Sequence, residues 1–355
     1  MTRETNIMSD SAWMQRAIDL ALRSDKEVKS NPKVGCVIVR ENKIIGEGWH
    51  QFYGGPHAEV VACTDALEKG YENGNGCTVY VTLEPCGHHG KTPPCADLLA
   101  HFNPDRIVIG ARDKNPTTSG KGLDILQKAG ITIEFLALKD LGKLTDVFYT
   151  NIFQHRPYVI CKWAETADGY IGFKDKRLKI SNSISDRLVH RWRAEVDGIL
   201  IGGNTLRIDD PQLSTRLVTG ENAHRFVLTS MKNGDLEKYA IFNQEGVTTL
   251  LNPLTYKTIG DDFSWKALLE DLYTRHNVCR LLVEGGTYTI ESLMKQDCID
   301  EIRQITSDVF AGSTGIISPK VQGMEMCMQS RILNDTLRIF KKLSSKHHLK
   351  QLKIT

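Results

Sequence analysis

Apolar residues recur along the N-terminal part of the chain with periods that predict alternating helices and strands. Ser9 is of a type that favours helix N-termini, and apolar residues follow it at helical spacing: Met14, Ala17, Ile18 and Ala21. Strands are predicted over residues 34–40, 43–47, 77–83, 106–111 and 131–136, and helices over 58–69, from about 93, and over 123–128 and 139–153. This order is typical of an α/β sandwich.

A second alternation begins after Pro157, which ends the last of these helices. Strands are predicted near residues 158–163, 198–201, 226–229, 248–251 and 281–283, and helices near 184–195, 265–274 and 287–295. We therefore expect two α/β domains, residues 1–153 and 156–355. A chain of 355 residues has room for both, at about 150 residues per domain.

The composition and charge of the chain argue against some classes of binding partner. The 45 basic and 43 acidic residues nearly cancel, which argues against a large nucleic-acid-binding surface. No apolar run is long enough to span a membrane, and the first ten residues lack the apolar core of a signal peptide. The nine cysteines are then expected to be reduced thiols. We expect a cytoplasmic protein that binds neither nucleic acid nor membrane.

Three residues form a candidate zinc site. His57 opens a predicted helix, Cys86 follows a strand, and Cys95 lies near the start of the next helix. One imidazole and two thiolates suit Zn²⁺ and leave a fourth position free for water, whose pKa zinc lowers to about 7. The alternative is a structural zinc or a chance arrangement of thiols, although a structural site normally has a fourth protein ligand.

Glu59 supplies the second half of a hydrolytic site. A carboxylate beside the metal, but not bound to it, can carry a proton from the attacking water to the departing amine. The pattern H-x-E followed by P-C-x-x-C is typical of zinc deaminases that act on bases. Here eight residues, Gly87 to Pro94, separate the cysteines. They bring His88, His89 and Lys91 towards the metal, either as substrate or phosphate contacts or as a solvated loop.

The second half of the chain carries two glycine turns, Gly202-Gly203 and Gly285-Gly286, each placed after a predicted strand. Such turns present free backbone N–H groups to phosphate and allow close approach of a cofactor. They could equally be ordinary helix entries, since neither matches G-x-G-x-x-G.

Several longer motifs resemble one family, the bifunctional pyrimidine deaminase/reductase of riboflavin biosynthesis. In the first half these are His57-Ala58-Glu59, residues 82–86, residues 88–95, residues 31–39 and residues 113–116. In the second half they are Lys162, residues 167–169, residues 192–194, Thr205 with residues 209–213, Arg216 and residues 283–286. The long loop between the cysteines is normal in that family.

The resemblance implies a fold and a pair of reactions. It implies an N-terminal α/β/α sandwich like that of cytidine deaminase, followed by an α/β domain like dihydrofolate reductase. The first would remove the 2-amino group of a diaminopyrimidinone that carries a phosphoribosylamino substituent. The second would use NADPH to reduce the ribosyl group to a ribityl chain. A homo-oligomer is also implied.

The resemblance assigns residues to both sites. The zinc ligands are His57, Cys86 and Cys95, with Glu59 as the catalytic residue. The residues implied to bind the cofactor are Thr205, Asp209, Ser230 and Gly286. Those implied to bind substrates are Asn31, His88, Lys162, Arg193, Leu213, Arg216 and Glu284. A planar guanidinium can hold a phosphate through two hydrogen bonds, which suits Arg193 and Arg216; surface ion pairs are their alternative. Lys162 and Glu284 are possible charge partners near the sugar, and a buried salt bridge is their alternative.

Three positions depart from the family pattern. Gly87 replaces a small polar residue, Glu165 replaces a small residue, and Lys179 replaces a tryptophan. The last change removes a stacking surface for the cofactor and predicts a weaker reductase. A competing hypothesis is a zinc deaminase of the nucleoside or tRNA type with a non-catalytic C-terminal scaffold. The near-neutral charge and the complete second α/β half argue against it.

Overall fold

The computed structural model describes residues 8–24, 26–88, 93–116, 118–174, 178–231, 236–258, 262–312 and 315–342. The chain divides into two compact units, residues 1–154 and 155–355.

The first unit is built on a five-stranded sheet. Its helices are α1 (Asp10–Ala21), α2 (Ala58–Glu68), α3 (Cys95–Phe102), α4 (Lys121–Lys128) and α5 (Gly142–Gln154). Its strands are β1 (Gly35–Arg40), β2 (Lys43–Trp49), β3 (Cys77–Val81), β4 (Arg106–Ile109) and β5 (Thr132–Phe135). The strand order is β2-β1-β3-β4-β5; β1 runs antiparallel to β2 and β3, and β3, β4 and β5 are parallel.

Side chains from the two faces of this sheet enter separate cores. Ile38 of β1 packs with α2, α3 and α4 on one face, whereas Val37 packs with α1 and the start of α5 on the other. Successive strand residues point to opposite faces, so β1 contributes to both cores. The unit is therefore the α/β/α sandwich that the sequence predicted.

The second unit has a larger sheet with helices beside it. Its helices are α6 (Ser183–Ala194), α7 (Gly203–Asp209), α8 (Trp265–Thr274) and α9 (Thr287–Lys295). Its strands are β6 (Tyr158–Glu165), β7 (Tyr170–Gly172), β8 (Gly198–Gly202), β9 (His224–Leu228), β10 (Thr248–Leu251), β11 (Arg280–Val283), β12 (Glu301–Thr306), β13 (Ile316–Ile317), β14 (Met324–Ile332) and β15 (Asp335–Lys342).

Eight of these strands form one sheet in the order β10-β9-β8-β11-β6-β12-β15-β14, and β7 pairs separately with β13. The strands from β10 to β12 are mutually parallel, whereas β15 and β14 add antiparallel hairpin strands. The parallel strands place their carboxyl ends at one edge, where ligands of α/β sheets commonly bind.

The apolar pattern predicted five of the six parallel strands, namely β6, β8, β9, β10 and β11. It missed the parallel strand β12 and the hairpin strands β14 and β15. Strands β8 and β11 are buried along almost their whole length and read as continuous apolar runs. Strand β14 is exposed at nearly every position, so no buried apolar run marks it. Within the described residues, no helix is both long and apolar enough to cross a bilayer.

Candidate active sites

The start of helix α2 carries the imidazole of His57 and the carboxylate of Glu59. His57 is the N-cap of α2, with extended backbone angles of φ −72° and ψ 161°, and Glu59 lies in the first helical turn. The Glu59 side chain is buried, with 3% exposure. A carboxylate near a helix N-terminus is favoured by the helix dipole, which offsets part of the cost of burying it.

The two cysteines meet at the start of α3. Cys95 is its first residue and Pro94 its N-cap, so the helix begins after position 93, where we predicted its start. A residue before proline disfavours helical angles, which excludes Pro93 from the helix. Cys86 accepts both nearby N–H groups: its Sγ from Cys95 at 3.3 Å and its carbonyl from Ala96 at 3.1 Å.

The donor atoms of His57, Cys86 and Cys95 all lie within 4.8 Å of one another. His57 Nδ1 is 3.1 Å from Cys95 Sγ and 3.6 Å from Cys86 Sγ. No fourth histidine, cysteine or acidic residue joins this cluster in the part of the chain that the structure describes. The geometry therefore offers three ligands around one point, as in zinc sites that keep an open position.

The three donors differ in how readily they lose a proton, and Cys86 does so most readily. Hydrogen bonds from Cys95 and His57 lower the pKa of Cys86 to about 4, so this sulfur is a thiolate at neutral pH. Its hydrogen bond to His57 raises the pKa of that imidazole, and its hydrogen bond to Cys95 raises the pKa of that thiol. Burial raises the pKa of Glu59 above the ordinary value of a carboxyl group.

A cavity of about 310 Å³ opens beside the cluster. Its lining includes His57, Glu59 and Cys86 together with Asn31, His50, Glu84, His88, Asp113, Asn115 and Thr118. Asn31 and His88 thus line the cavity, and their binding of substrate stays a prediction. His89 and Lys91 fall outside the described residues.

Hydrogen bonds fix the tautomer of His50. Its Nδ1 lies 3.0 Å from the carbonyl oxygen of Pro56, which can only accept, so Nδ1 carries the proton. Its Nε2 then accepts from the amide nitrogen of Asn31 at 3.0 Å. Burial lowers the pKa of His50, which keeps the ring neutral. The carbonyl oxygen of Asn31 is left to accept from a ligand.

In the second unit, the two glycine turns are linked. Gly202 and Gly286 are the N-caps of α7 and α9, and Thr205 Oγ1 accepts from the N–H of Gly286 at 3.0 Å. A Cβ added at Gly286 would meet only Thr205 Oγ1, at an ordinary 3.5 Å. Asp209 ends α7, and Ser230 is exposed just beyond β9. Three of the four predicted cofactor residues therefore lie on α7 or at the turn before α9, with Ser230 beyond the neighbouring strand.

A buried group of ion pairs lies at the carboxyl end of β11, beside Lys162 of the neighbouring strand β6. Glu284 accepts two hydrogen bonds from Arg193, at 2.6 and 2.9 Å, and its carboxylate lies 3.9 Å from Lys162 Nζ. These side chains are at most 14% exposed. Burial alone would raise the pKa of Glu284, but Arg193 and Lys162 outweigh burial and hold it at about 2. Burial lowers the pKa of Lys162.

Arg193, which was predicted to bind phosphate, already donates hydrogen bonds to groups of the protein itself. Besides Glu284, its guanidinium donates to the carbonyl oxygen of Ser214 at 3.2 Å. Arg216 donates to Ser214 Oγ at 3.0 Å, and the buried Leu213 has a φ of +50°, which is unfavourable for a branched residue. The structure thus brings these residues together, and phosphate binding by Arg193 stays a prediction.

His190 was missed by the sequence reasoning. It is buried one turn before Arg193, and its Nδ1 has no hydrogen-bond partner among the described residues. Burial, with help from Arg193 and Arg216, lowers its pKa to about 4. A polar residue on the inner face of a predicted helix was the available signal.

Comparisons with known proteins account for both units. Residues 7–111 match the family described as cytidine and deoxycytidylate deaminase zinc-binding region, and residues 157–338 match the RibD C-terminal domain. The riboflavin biosynthesis protein RibD of Aquifex aeolicus is 33% identical over 362 residues, which cover 94% of each chain. That of Actinobacillus pleuropneumoniae is 35% identical over 302 residues, or 81% of this chain and 77% of the relative.

This chain belongs to the RibD family.

Solved structures of the family agree with this assignment. The diaminohydroxyphosphoribosylaminopyrimidine deaminase/5-amino-6-(5-phosphoribosylamino)uracil reductase of Thermotoga maritima has a TM-score of 0.80 and 29% identity, covering 93% of this chain and 98% of its own. Acinetobacter baumannii RibD has a TM-score of 0.76 and 28% identity, covering 94% and 98%. The predicted folds and the combination of zinc deaminase and reductase in riboflavin biosynthesis are confirmed. A deaminase with a non-catalytic scaffold is not favoured.

Two of the departures from the RibD pattern have structural explanations. A Cβ added at Gly87 would lie 2.4 Å from the backbone nitrogen of Gly122, so this chain has no room there for a larger residue. The buried Glu165 carboxylate accepts from Trp163 Nε1 at 3.0 Å, and from Gln304 Nε2 and Thr306 Oγ1 at 3.0 and 3.1 Å. It therefore stabilises the β6–β12 pairing.

Lys179, the third departure, has an exposed side chain that pairs with Asp186 at the start of α6. Its position offers a cofactor no aromatic face.

Proposed function

We propose that the first unit binds one Zn²⁺ through His57, Cys86 and Cys95 and deaminates the 2-amino group of 2,5-diamino-6-(5-phosphoribosylamino)pyrimidin-4(3H)-one. The observation that carries this proposal is the convergence of the three donor atoms within 4.8 Å beside a buried carboxylate. The Thermotoga maritima relative, a deaminase and reductase of this pyrimidine pathway by name, supports the choice of substrate.

The donor set fits zinc. One imidazole nitrogen and two thiolate sulfurs match its preference for nitrogen and sulfur ligands, and the three donors leave a corner for a non-protein ligand. When bound, zinc supplies the Lewis acidity that makes water a nucleophile near neutral pH. The thiolate form of Cys86, with its pKa lowered to about 4, is ready to bind without first losing a proton.

Glu59 carries the proton in this proposal. Burial raises its pKa above the ordinary value of a carboxyl group. A carboxyl group beside the attacking water can accept a proton and return it. Its place two residues after His57 holds it beside the metal without making it a ligand. The carbonyl oxygen of Asn31, oriented through His50, would accept from an N–H group of the pyrimidine.

For the second unit we propose NADPH-dependent reduction of the ribosyl group to a ribityl chain. Thr205, Asp209, Ser230 and Gly286 would contact the cofactor, which supplies the hydride. The open space at Gly286 supports close approach of a cofactor to the backbone. Lys162, Arg193 and Glu284 would hold the charge near the opening sugar, with Arg216 and Leu213 at its phosphate end. The turns after β8 and β11, which carry Thr205 and Gly286, support this proposal, because ligands of α/β sheets commonly bind at the carboxyl edge of parallel strands.

One experiment tests both halves. Purified protein is given zinc, NADPH and the diaminopyrimidinone ribosyl phosphate, and ammonia release and NADPH oxidation are followed together. Glu59→Gln should keep zinc and lose ammonia release by several orders of magnitude. Ammonia release at the unaltered rate in that variant would remove Glu59 from its role.

Further expectations stay proposals. We propose residues 1–153 and 156–355 as the limits of the two functional domains, a cytoplasmic location, and a homo-oligomer. Strand β14 supports self-association, because it ends the eight-stranded sheet and pairs only with β15 among the described residues. Such an edge carries unpaired backbone groups, and Met326 and Met328 are exposed on it.

A further inference from the structure

Glu84 is a buried carboxylate that the deaminase chemistry described above does not use. It lies between β3 and Cys86 and is 6% exposed. Its Oε1 accepts from the N–H of Gly120 at 2.6 Å, and its Oε2 accepts from the N–H of Asp113 at 3.2 Å. One side chain thus holds both ends of the segment 113–120 against the strand end that leads to Cys86.

Asp113 continues the same network within that segment. Its carboxylate accepts from the N–H of Asn115 at 2.9 Å and from the Thr118 hydroxyl. Tyr149 of α5 donates to it at 3.3 Å. Two acidic side chains therefore add to the backbone hydrogen bonds that the N–H groups of Thr118 and Ser119 donate to the carbonyl oxygen of Asn115, at 3.0 and 2.9 Å.

The backbone just beyond this segment lies directly against the loop that carries Cys86. A Cβ added at Gly122 would lie 1.9 Å from the carbonyl oxygen of Pro85. The matching approach of Gly87 to Gly122, described above, leaves no space between the two backbones. Glu84 and these glycines hold the two segments in one arrangement.

Residues Asp113, Asn115 and Thr118 form one wall of the deaminase cavity. Asn115 and Thr118 line the deaminase cavity together with Glu84 and the zinc-ligand cluster. Neither residue is a candidate zinc ligand or the proton carrier. Contacts between these residues and the substrate would therefore contribute to substrate binding. A mobile wall would have to be ordered whenever substrate bound, and the free energy of that ordering would weaken affinity.

We propose that Glu84 is a positioning residue for deamination, which fixes the segment 113–120 as the substrate-binding wall of the cavity. It acts through Asp113, Asn115 and Thr118 and does not touch the reacting carbon. This assignment rests on the proposed deaminase function. It implies that loss of the Glu84 charge weakens substrate binding and leaves the chemical step largely intact.

The test is Glu84→Gln in the full-length, zinc-loaded protein, with ammonia release as the assay. The glutamine amide group would place its own N–H donor against one of the two backbone N–H donors, of Asp113 and Gly120, that the carboxylate accepts from. We expect KM for the diaminopyrimidinone ribosyl phosphate to rise about tenfold to a hundredfold, the usual effect of losing a hydrogen bond to a buried charged group. We expect kcat to change by less than about threefold, because an interaction made equally in the ground and transition states affects KM alone.

Two further variants separate positioning from general damage. Asp113→Asn should raise KM in the same way, and the double variant should raise it by less than the product of the two effects, since both residues act on one segment. Glu47→Gln is the matched control, because Glu47 of β2 pairs with Arg16 of α1 in the same unit and is not among the residues that line the cavity. It should leave KM unchanged.

Each other outcome contradicts the assignment. An unchanged KM in Glu84→Gln, with an active unaltered protein, overturns it alone. A fall in kcat at constant KM, or loss of zinc, would show that Glu84 acts on the metal ligands and not on the wall. Absence of ammonia release by the unaltered protein would overturn the proposed deaminase function, and this assignment with it.

Discussion

The buried carboxylate of Glu284 offers a quantitative test of the reductase unit. Glu284→Gln keeps the shape of the side chain and removes its charge, so that Arg193 and Lys162 remain buried without their counter-ion. Arg193 cannot lose its proton to compensate, because arginine stays protonated in proteins. Lys162, whose pKa burial already lowers, can become neutral and so limit the cost.

The structure sets the size of the effect. The pKa of Glu284 is held at about 2, against an ordinary value of 4.5. At about 1.4 kcal/mol per pH unit, that difference corresponds to about 3 kcal/mol of folding free energy. The value lies at the lower end of the roughly 3–5 kcal/mol observed when one partner of a buried ion pair is removed.

The pH dependence has a definite sign. The pKa of Glu284 is lower in the folded chain than in the unfolded chain, so the ion pair stabilises the unit fully above pH 4.5 and loses this contribution as the pH falls towards 2. Glu284→Gln should therefore cost most at neutral pH and progressively less in acid.

The assay is urea unfolding followed by tryptophan fluorescence. Trp163, Trp192 and Trp265 lie in the second unit, and replacing Trp13 and Trp49 of the first unit by phenylalanine isolates their signal. The matched control is Glu195→Gln, which breaks an exposed pair with Arg191 on α6 and should cost less than about 0.5 kcal/mol. If Glu284→Gln cost no more than this control, the buried pair would not stabilise the unit and the reasoning would be refuted.

Two other predictions concern the reductase. Gly286→Val should abolish NADPH oxidation while ammonia release continues, because the added Cβ meets only Thr205 within the protein but occupies the proposed cofactor space; simultaneous loss of both activities would contradict independent sites. Lys179→Trp should restore a stacking surface and lower KM for NADPH by several-fold, about the effect of one aromatic contact worth roughly 1 kcal/mol; an unchanged KM in steady-state kinetics would show that this position does not meet the cofactor.

Local sequence patterns were sufficient to predict elements that have capping residues or a compact apolar run. The helices over α8 and α9 and the strand β10 begin and end where the sequence predicted them, because each has capping residues or a compact apolar run. The exposed strand β14 and its partner β15 were missed, since they are held by pairing in a hairpin and not by two apolar faces.

The zinc cluster was predictable because residue type alone restricts what His57, Cys86 and Cys95 can do. The surroundings of both sites were not, since they depend on contacts between distant parts of the chain. Arg193 and Glu284 are 91 residues apart, and Glu84 and Gly120 are 36 apart. No local sequence pattern indicates that either pair is in contact. The role of Glu84 at the cavity wall and the pairing of Glu284 with Arg193 are therefore seen only in the folded chain.

X-ray absorption at the zinc edge of the purified, zinc-loaded protein tests the central claim most directly. We expect two sulfur ligands at about 2.3 Å, one imidazole nitrogen at about 2.0 Å and one oxygen from solvent. A protein that binds no zinc, or a spectrum with four protein ligands and no solvent oxygen, would contradict the assignment of His57, Cys86 and Cys95 as a catalytic zinc site.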